Sequence, residues 1–279
     1  MQQLGLYDGQ GARLAKDAGE EGSPPATKRL KISEPLYRFP AYVFDLAGSL
    51  EHLDLSGTGL SALPGDIGRL RKLRIAFFSN CTFTVFPSEL ASCPALEMVA
   101  FRGNGMTEVP EDSLPPRLRW LILTDNRIRS LSESIGRCSR LQKCMLAGNE
   151  LRALPAGMMS CERLGLLRLS ANHIRELSAC LFGLPEFAFL SFAGNPCSGT
   201  AIAPAAAELA RTSWGGIQVH GLLGEGASGV ISKGTRYAPH QTRQAAVELF
   251  KGEMTSDGTP ADEMRACIQA GSHPNLMTR

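Results

Sequence analysis

The chain has 279 residues, 43% of them hydrophobic and 20% charged, a balance typical of folded globular proteins and one that excludes a chain disordered throughout. Lysine and arginine number 29 against 27 aspartate and glutamate, for a net charge of +2. So small an excess excludes a protein whose main work is to coat nucleic acid or an anionic membrane.

In chain order, Met1 to Ala26 comes first, Gly-rich and polar. It is expected to be a disordered terminus without the apolar core of a signal peptide. The basic run Thr27 to Lys31 reads as a solvated turn. The longest uncharged stretch, Phe187 to Ala207, contains Gly194-Asn195-Pro196 and Ser198-Gly199, so it reads as a turn region and not a membrane span.

Between these points the sequence repeats. A leucine or its substitute opens a unit at Leu50, Leu73, Leu96, Leu118, Leu141, Leu164 and Phe187, at intervals of 23, 23, 22, 23, 23 and 23 residues. Apolar residues recur three and five positions on, as in Leu53 and Leu55, Val99 and Phe101, or Leu167 and Leu169. Eight positions on stands a small polar residue: Thr58, Cys81, Asn104, Asn126, Asn149, Asn172 and Asn195. Self-similarity at this period marks a stacked architecture.

The spacing resembles the leucine-rich repeat, over roughly Leu30 to Pro196. The resemblance implies an α/β repeat solenoid with parallel strands on the concave face. Residues 27–197 would hold a cap, from Leu30 to Leu46, and seven units. Each L-x-x-L-x-L stretch is a short strand with its leucines turned inward, and the asparagine satisfies backbone groups where the chain leaves the strand. A unit buries its apolar side only against its neighbours.

Of the eight cysteines, Cys93, Cys138 and Cys161 fall twenty positions into their units, where Leu70 and Leu184 stand in two others. Cys81 takes the asparagine slot and Cys144 a strand leucine slot. Repeat position therefore accounts for most of them, and a disulfide or zinc framework is not expected. Free thiols and no leader together predict a cytoplasmic protein.

Two and four positions after each opening leucine, side chains point to the concave face, because they alternate along a strand. There Ile75, Phe77, Met98, Trp120, Ile122 and Met145 are apolar, on adjacent strands about 4.8 Å apart. One contiguous patch of this kind predicts a protein or peptide partner. No nucleic acid and no membrane partner is implied.

Residues 198–216 turn rich in Ala, Pro and Gly and read as a linker or a short closing helix. The run Ile217 to Ile231 then holds a G-x-G-x-x-G at Gly224, Gly226 and Gly229. Val230 to Tyr237 alternates as a strand, which favours a second strand over a dinucleotide fold, where a helix follows the glycines. Val230 and Ile231 stand where a Walker loop needs Lys and Ser or Thr.

A strand, a glycine loop ending at Ile231 and a second strand resemble the N-terminal lobe of protein kinases, whose loop covers the ATP phosphates. Ala245 to Lys251 sits at the expected third strand, Pro260 to Ala270 at helix C with Glu263 as its glutamate, and His273-Pro274-Asn275-Leu276 at the segment that follows. In combination the chain resembles the bacterial leucine-rich-repeat protein kinases of the eukaryotic-like Ser/Thr type, with residues 217–279 as a partial α+β N-lobe. The resemblance implies ATP as cofactor and Ser/Thr protein phosphorylation as the family activity.

Two departures limit what carries over. Glu248 stands at the third-strand lysine position, where the family grips the α/β-phosphates. From Ile217 to Arg279 there are 63 residues, too few for a complete kinase. No D-F-G occurs, and His52-Leu53-Asp54-Leu55, which mimics the catalytic loop, lies in a repeat strand with Gly59 at the required asparagine. The expectation is therefore a truncated, inactive kinase homologue with weak or absent ATP binding, whose repeats bind a partner. The alternatives are a non-catalytic scaffold or regulatory protein, and a fragment completed by a separate C-terminal lobe.

Overall fold

A computed structural model describes residues 27–198, 213–225, 229–238 and 241–250, with Thr255, Thr259 and Pro260. The disordered terminus expected over 1–26, Gly226, residues 261–270 of the expected helix C with Glu263 and Cys267 among them, and His273 to Leu276 lie outside the described residues.

Each repeat contributes one strand of three residues. These are β1 (Arg29–Lys31), β2 (His52–Asp54), β3 (Ile75–Phe77), β4 (Met98–Ala100), β5 (Trp120–Ile122), β6 (Lys143–Met145), β7 (Leu166–Arg168) and β8 (Phe189–Ser191). They form one parallel sheet in chain order, β1 to β8. The register is constant: Leu53 sits opposite Leu30 and Ala76, Leu121 opposite Val99 and Cys144, and Leu190 opposite Leu167. The 22-residue unit keeps this register, with Met98 opposite Trp120, so the missing residue is absorbed in the return loop. The cap is thus not merely a lid, because β1 pairs with β2 as a repeat strand does.

The return segments are short 3-10 helices, at Ala41–Leu46, Ile67–Arg69, Ser88–Ser92, Glu133–Arg137, Ala156–Ser160 and Ala179–Gly183. Proline precedes three of these, at Pro40, Pro87 and Pro155. Ser132 and Ser178 begin two others, each accepting a backbone N–H in its side chain. Between Leu96 and Leu118 no such helix forms, and Pro110, Pro115 and Pro116 carry the chain round instead.

The core is one continuous stack of strand leucines and return-segment residues. The units starting at Leu73 and Leu96 use aromatics in place of leucine. Phe101 lies with its ring centroid 5.0 Å from Phe78, 5.1 Å from Phe83 and 5.2 Å from Phe86.

Polar groups at the end of each strand are met by an asparagine ladder. Asn172 Nδ2 donates to the Leu146 and Leu169 carbonyls at 2.9 and 2.8 Å, and its Oδ1 accepts the Leu151 N–H at 3.0 Å. Asn126, Asn149 and Asn195 repeat the pattern. Cys81 keeps only the donor half, its thiol reaching the Leu55 carbonyl at 3.2 Å.

One position before the ladder, seven after the opening leucine, every unit turns left-handed: Gly57, Asn80, Gly103, Asp125, Gly148, Ala171 and Gly194 all have positive φ. This position escapes a reading based on leucines alone, although Gly, Asn and Asp are the residues that tolerate it. Ala171, at φ 52°, is the exception.

Cys93, Cys138, Cys144 and Cys161 are buried free thiols, Cys180 is exposed and Cys197 lies between. Burial pushes Cys93 and Cys161 up to about 11 and Cys138 up to about 12, and it raises Cys144 too. The thiolate is the reacting form. A short pulse of alkylating reagent on the native protein is therefore expected to label Cys180 and spare those four, which label only after unfolding, as read by peptide mass spectrometry.

The remaining described segment is a three-stranded antiparallel sheet, β9 (Ile217–Glu225), β10 (Gly229–Ala238) and β11 (Gln241–Phe250), with β10 central. No helix of the described residues is long and apolar enough to cross a membrane.

Candidate functional site

The concave face is built by the alternation within each three-residue strand. In β2, β3, β5, β6 and β7 the middle residue is buried and the outer two are half-buried. The register aligns Ile75, Met98, Trp120 and Lys143 in one row, and Phe77, Ala100, Ile122 and Met145 in the next. All six sequence-expected patch residues therefore share one face, side by side. Ala100 is buried, at 6% exposure, and makes a shallow point between Phe77 and Ile122.

Polar groups frame this floor. Lys143 Nζ lies 3.9 Å from the Trp120 ring centroid, so a cation caps the indole. At the other end His52 meets Phe77 edge-on, with centroids 5.1 Å apart. Burial holds the His52 imidazole below its ordinary pKa; nearby Arg29 adds to this and Asp54 opposes it. His52 and Asp54 lie on β2 facing the concavity, and Asp54 pairs with Lys31 at 3.4 Å. They belong to the repeat face, as its strand position required.

Charge runs along the edge where the strands begin. Lys28 pairs with Glu51 at 3.0 Å, Arg74 with Glu97 at 2.8 Å, and Arg119 reaches Glu97 at 3.9 Å and Gln142 at 3.0 Å. The hydrogen bond from Arg74 holds the Glu97 carboxyl below its usual range, with Arg74, Arg119 and Arg140 adding through space. A reading centred on apolar spacing misses this ladder and the Lys143 cap; the recurring charges beside each opening leucine are the signal that finds them.

In the second sheet, Ile231 stands in register with Gly224 on β9 and Glu248 on β11. Register partners share a face, so two glycine-loop residues, Gly224 and Ile231, come together with Glu248 at the third-strand lysine position. Gly229 leaves no room for a side chain: a Cβ there would lie 2.9 Å from the Leu249 carbonyl oxygen and 3.2 Å from Glu248 Oε1. The Glu248 carboxylate thus lies beside Gly229, the first residue of β10. Gly226 and Glu263 cannot be placed with them, being outside the described residues.

Comparison with known proteins agrees with the repeat geometry. The Leucine Rich Repeat family model matches residues 49–70. The PH domain leucine-rich repeat-containing protein phosphatase 1 of Mus musculus is 36% identical over 104 residues, which is 35% of this chain and 6% of that protein. The Homo sapiens protein is 38% identical over 93 residues, 33% of this chain and 5% of that one. This chain therefore corresponds to only about one-twentieth of the length of these relatives. Among solved structures, the Drosophila Toll–Spätzle complex aligns with a TM-score of 0.54 at 23% identity, covering 60% of this chain and 23% of that one. An internalin of Listeria monocytogenes aligns with a TM-score of 0.49 at 19% identity, covering 59% of this chain and 47% of that one. The match to the Leucine Rich Repeat model falls on one unit of a stack whose eight strands, β1 to β8, are all parallel in one sheet.

Proposed function

We propose that this chain is a non-catalytic interaction protein whose concave repeat face binds a protein or peptide. The observation that carries the reading is the aligned apolar floor of Ile75, Phe77, Met98, Trp120, Ile122 and Met145, each of them only half-buried. Apolar floors with an aromatic at their centre are where interface energy concentrates, and loss of a central Trp often costs about 2 kcal/mol or more of binding. Trp120→Ala is expected to weaken partner capture at least tenfold, while stability changes by about 1 kcal/mol, since the indole is only half-buried. A melting temperature that collapses with this substitution makes Trp120 a core residue and ends the reading.

The kinase-like reading of residues 217–279 keeps one supporting observation, the adjacency of Gly224, Ile231 and Glu248 on the antiparallel sheet. On that reading the sheet is a remnant nucleotide platform for ATP, with a carboxylate where a phosphate needs a cation. Two unit charges of like sign at about 4 Å repel by about 4 kcal/mol at an effective dielectric of 20. Nucleotide titration is expected to give weak or no binding for the wild type and measurable binding for Glu248→Lys, with no phosphate transfer by either. Tight ATP binding by the wild type contradicts it.

A further inference from the structure

One lateral edge of the solenoid is strongly basic. Lys72, Arg117, Arg140 and Arg163 each stand immediately before a unit's opening leucine, and Arg74 and Arg119 immediately after one. The repeat brings these positions side by side at about one strand spacing, 4.8 Å. Within this span the acidic residues at the same edge are Glu97 and Glu162. Glu97 is held by Arg74 at 2.8 Å, and Glu162 shares a shallow depression with Arg140 and Arg163. Glu51, already paired with Lys28, and Glu186 bound the stripe at its two ends. On a chain with a net charge of +2, this is a concentrated positive edge.

The stripe is continuous with the apolar floor. Arg74 and Arg119 are the residues immediately before β3 and β5, next to Ile75 and Trp120. Lys143 extends the positive charge onto the floor itself, and no carboxylate lies within ion-pair distance of its ammonium among the described residues. A ligand on the concave face therefore meets an apolar surface and a positive wall together.

We infer that the partner presents an acidic segment in which Asp or Glu alternates with large apolar side chains. The apolar residues would rest on Trp120, Ile122 and Met145, and the carboxylates would reach Lys143, Arg119 and Arg140. A nucleic acid would satisfy the wall but has no aliphatic side chains for the floor, and a flat membrane does not follow a concave sheet. This inference rests on the concave-face reading above and specifies its partner.

The test is selection of binders from a random peptide library on the full chain, followed by affinity measurement of the selected peptides against variants. The expected result is enrichment of peptides that interleave acidic and apolar residues. Their affinity falls about tenfold or more with added salt and in Arg119→Glu/Arg140→Glu, and also in Trp120→Ala. Both arginines are at the surface, and the wild-type salt titration needs no substitution. Selected peptides that lack acidic residues and respond only to Trp120→Ala overturn the inference but leave the concave-face reading standing. Peptides indifferent to all three substitutions overturn both, as does a library that yields no binder. Displacement of the peptides by equimolar single-stranded DNA or by phosphatidylserine vesicles makes the edge a general polyanion surface and overturns the inference.

Discussion

Phe101→Ala is expected to destabilise the solenoid by about 4 kcal/mol, within the range for truncating a buried phenylalanine. The ring is fully buried and touches Phe78, Phe83 and Phe86, which come from the preceding unit. Its removal leaves a cavity between two repeats, and Phe78 and Phe83 cannot close it without leaving their own edge-on contact. Because each repeat is stable only through its neighbours, the loss acts on the interface that holds the stack together. Phe101→Leu keeps most of the volume and is expected to cost about 1.5 kcal/mol or less. Urea unfolding of the three proteins checks the order. Equal midpoints for wild type and Phe101→Ala contradict the packing described for this layer.

Asn172→Ala is expected to cost about 2–3 kcal/mol, from an orphaned buried N–H and lost amide donors. The Leu151 N–H loses its acceptor, because Asn172 Oδ1 is its partner at 3.0 Å. The Leu146 and Leu169 carbonyls fare better, since Asn149 Nδ2 also reaches the first at 3.0 Å and Asn195 Nδ2 the second at 2.8 Å. That sharing places the loss below that of Phe101→Ala. Asn172→Asp separates shape from chemistry. The carboxylate has almost the same volume but no donor, and it would be 2% exposed, so at neutral pH it is expected to destabilise at least as much as alanine. A neutral Asn172→Asp would show that the slot is filled for volume alone.

Much of this was legible in the sequence, for a physical reason: a repeat writes each structural demand several times. Leu53 alone says little, but its six counterparts at the same place fix strand, inward face and register together. The same holds for Asn172 and its ladder, and for cysteines such as Cys161 that replace a buried leucine. The position of Ala171 was not legible in that way, because the demand there is on backbone φ, which several residue types meet and which apolar spacing does not report. The conformation of the return segments is not legible either, since a single buried apolar residue such as Ile135 or Met158 in a five-residue segment defines no period; they fold as 3-10 helices. At the candidate site, the six apolar residues followed from strand alternation. Lys143 over Trp120 did not, because it depends on a side-chain conformation across two strands. In the second sheet the strands were legible from alternation and glycine, whereas the closeness of Glu248 to Gly229 at the start of β10 required the register of β10 on β11.

The central claim is that the concave face is the working surface, and site-specific photo-crosslinking tests it most directly. A photoreactive amino acid is placed at Ile75 or Ile122 on the concave face, or at exposed Ala153 on a return segment, and the partner is identified from each adduct by mass spectrometry. The predicted result is the same partner captured from Ile75 and Ile122 and not from Ala153, with capture lost when Trp120→Ala is added. Adducts formed from Ala153 alone, or equally from all three positions, would contradict the account.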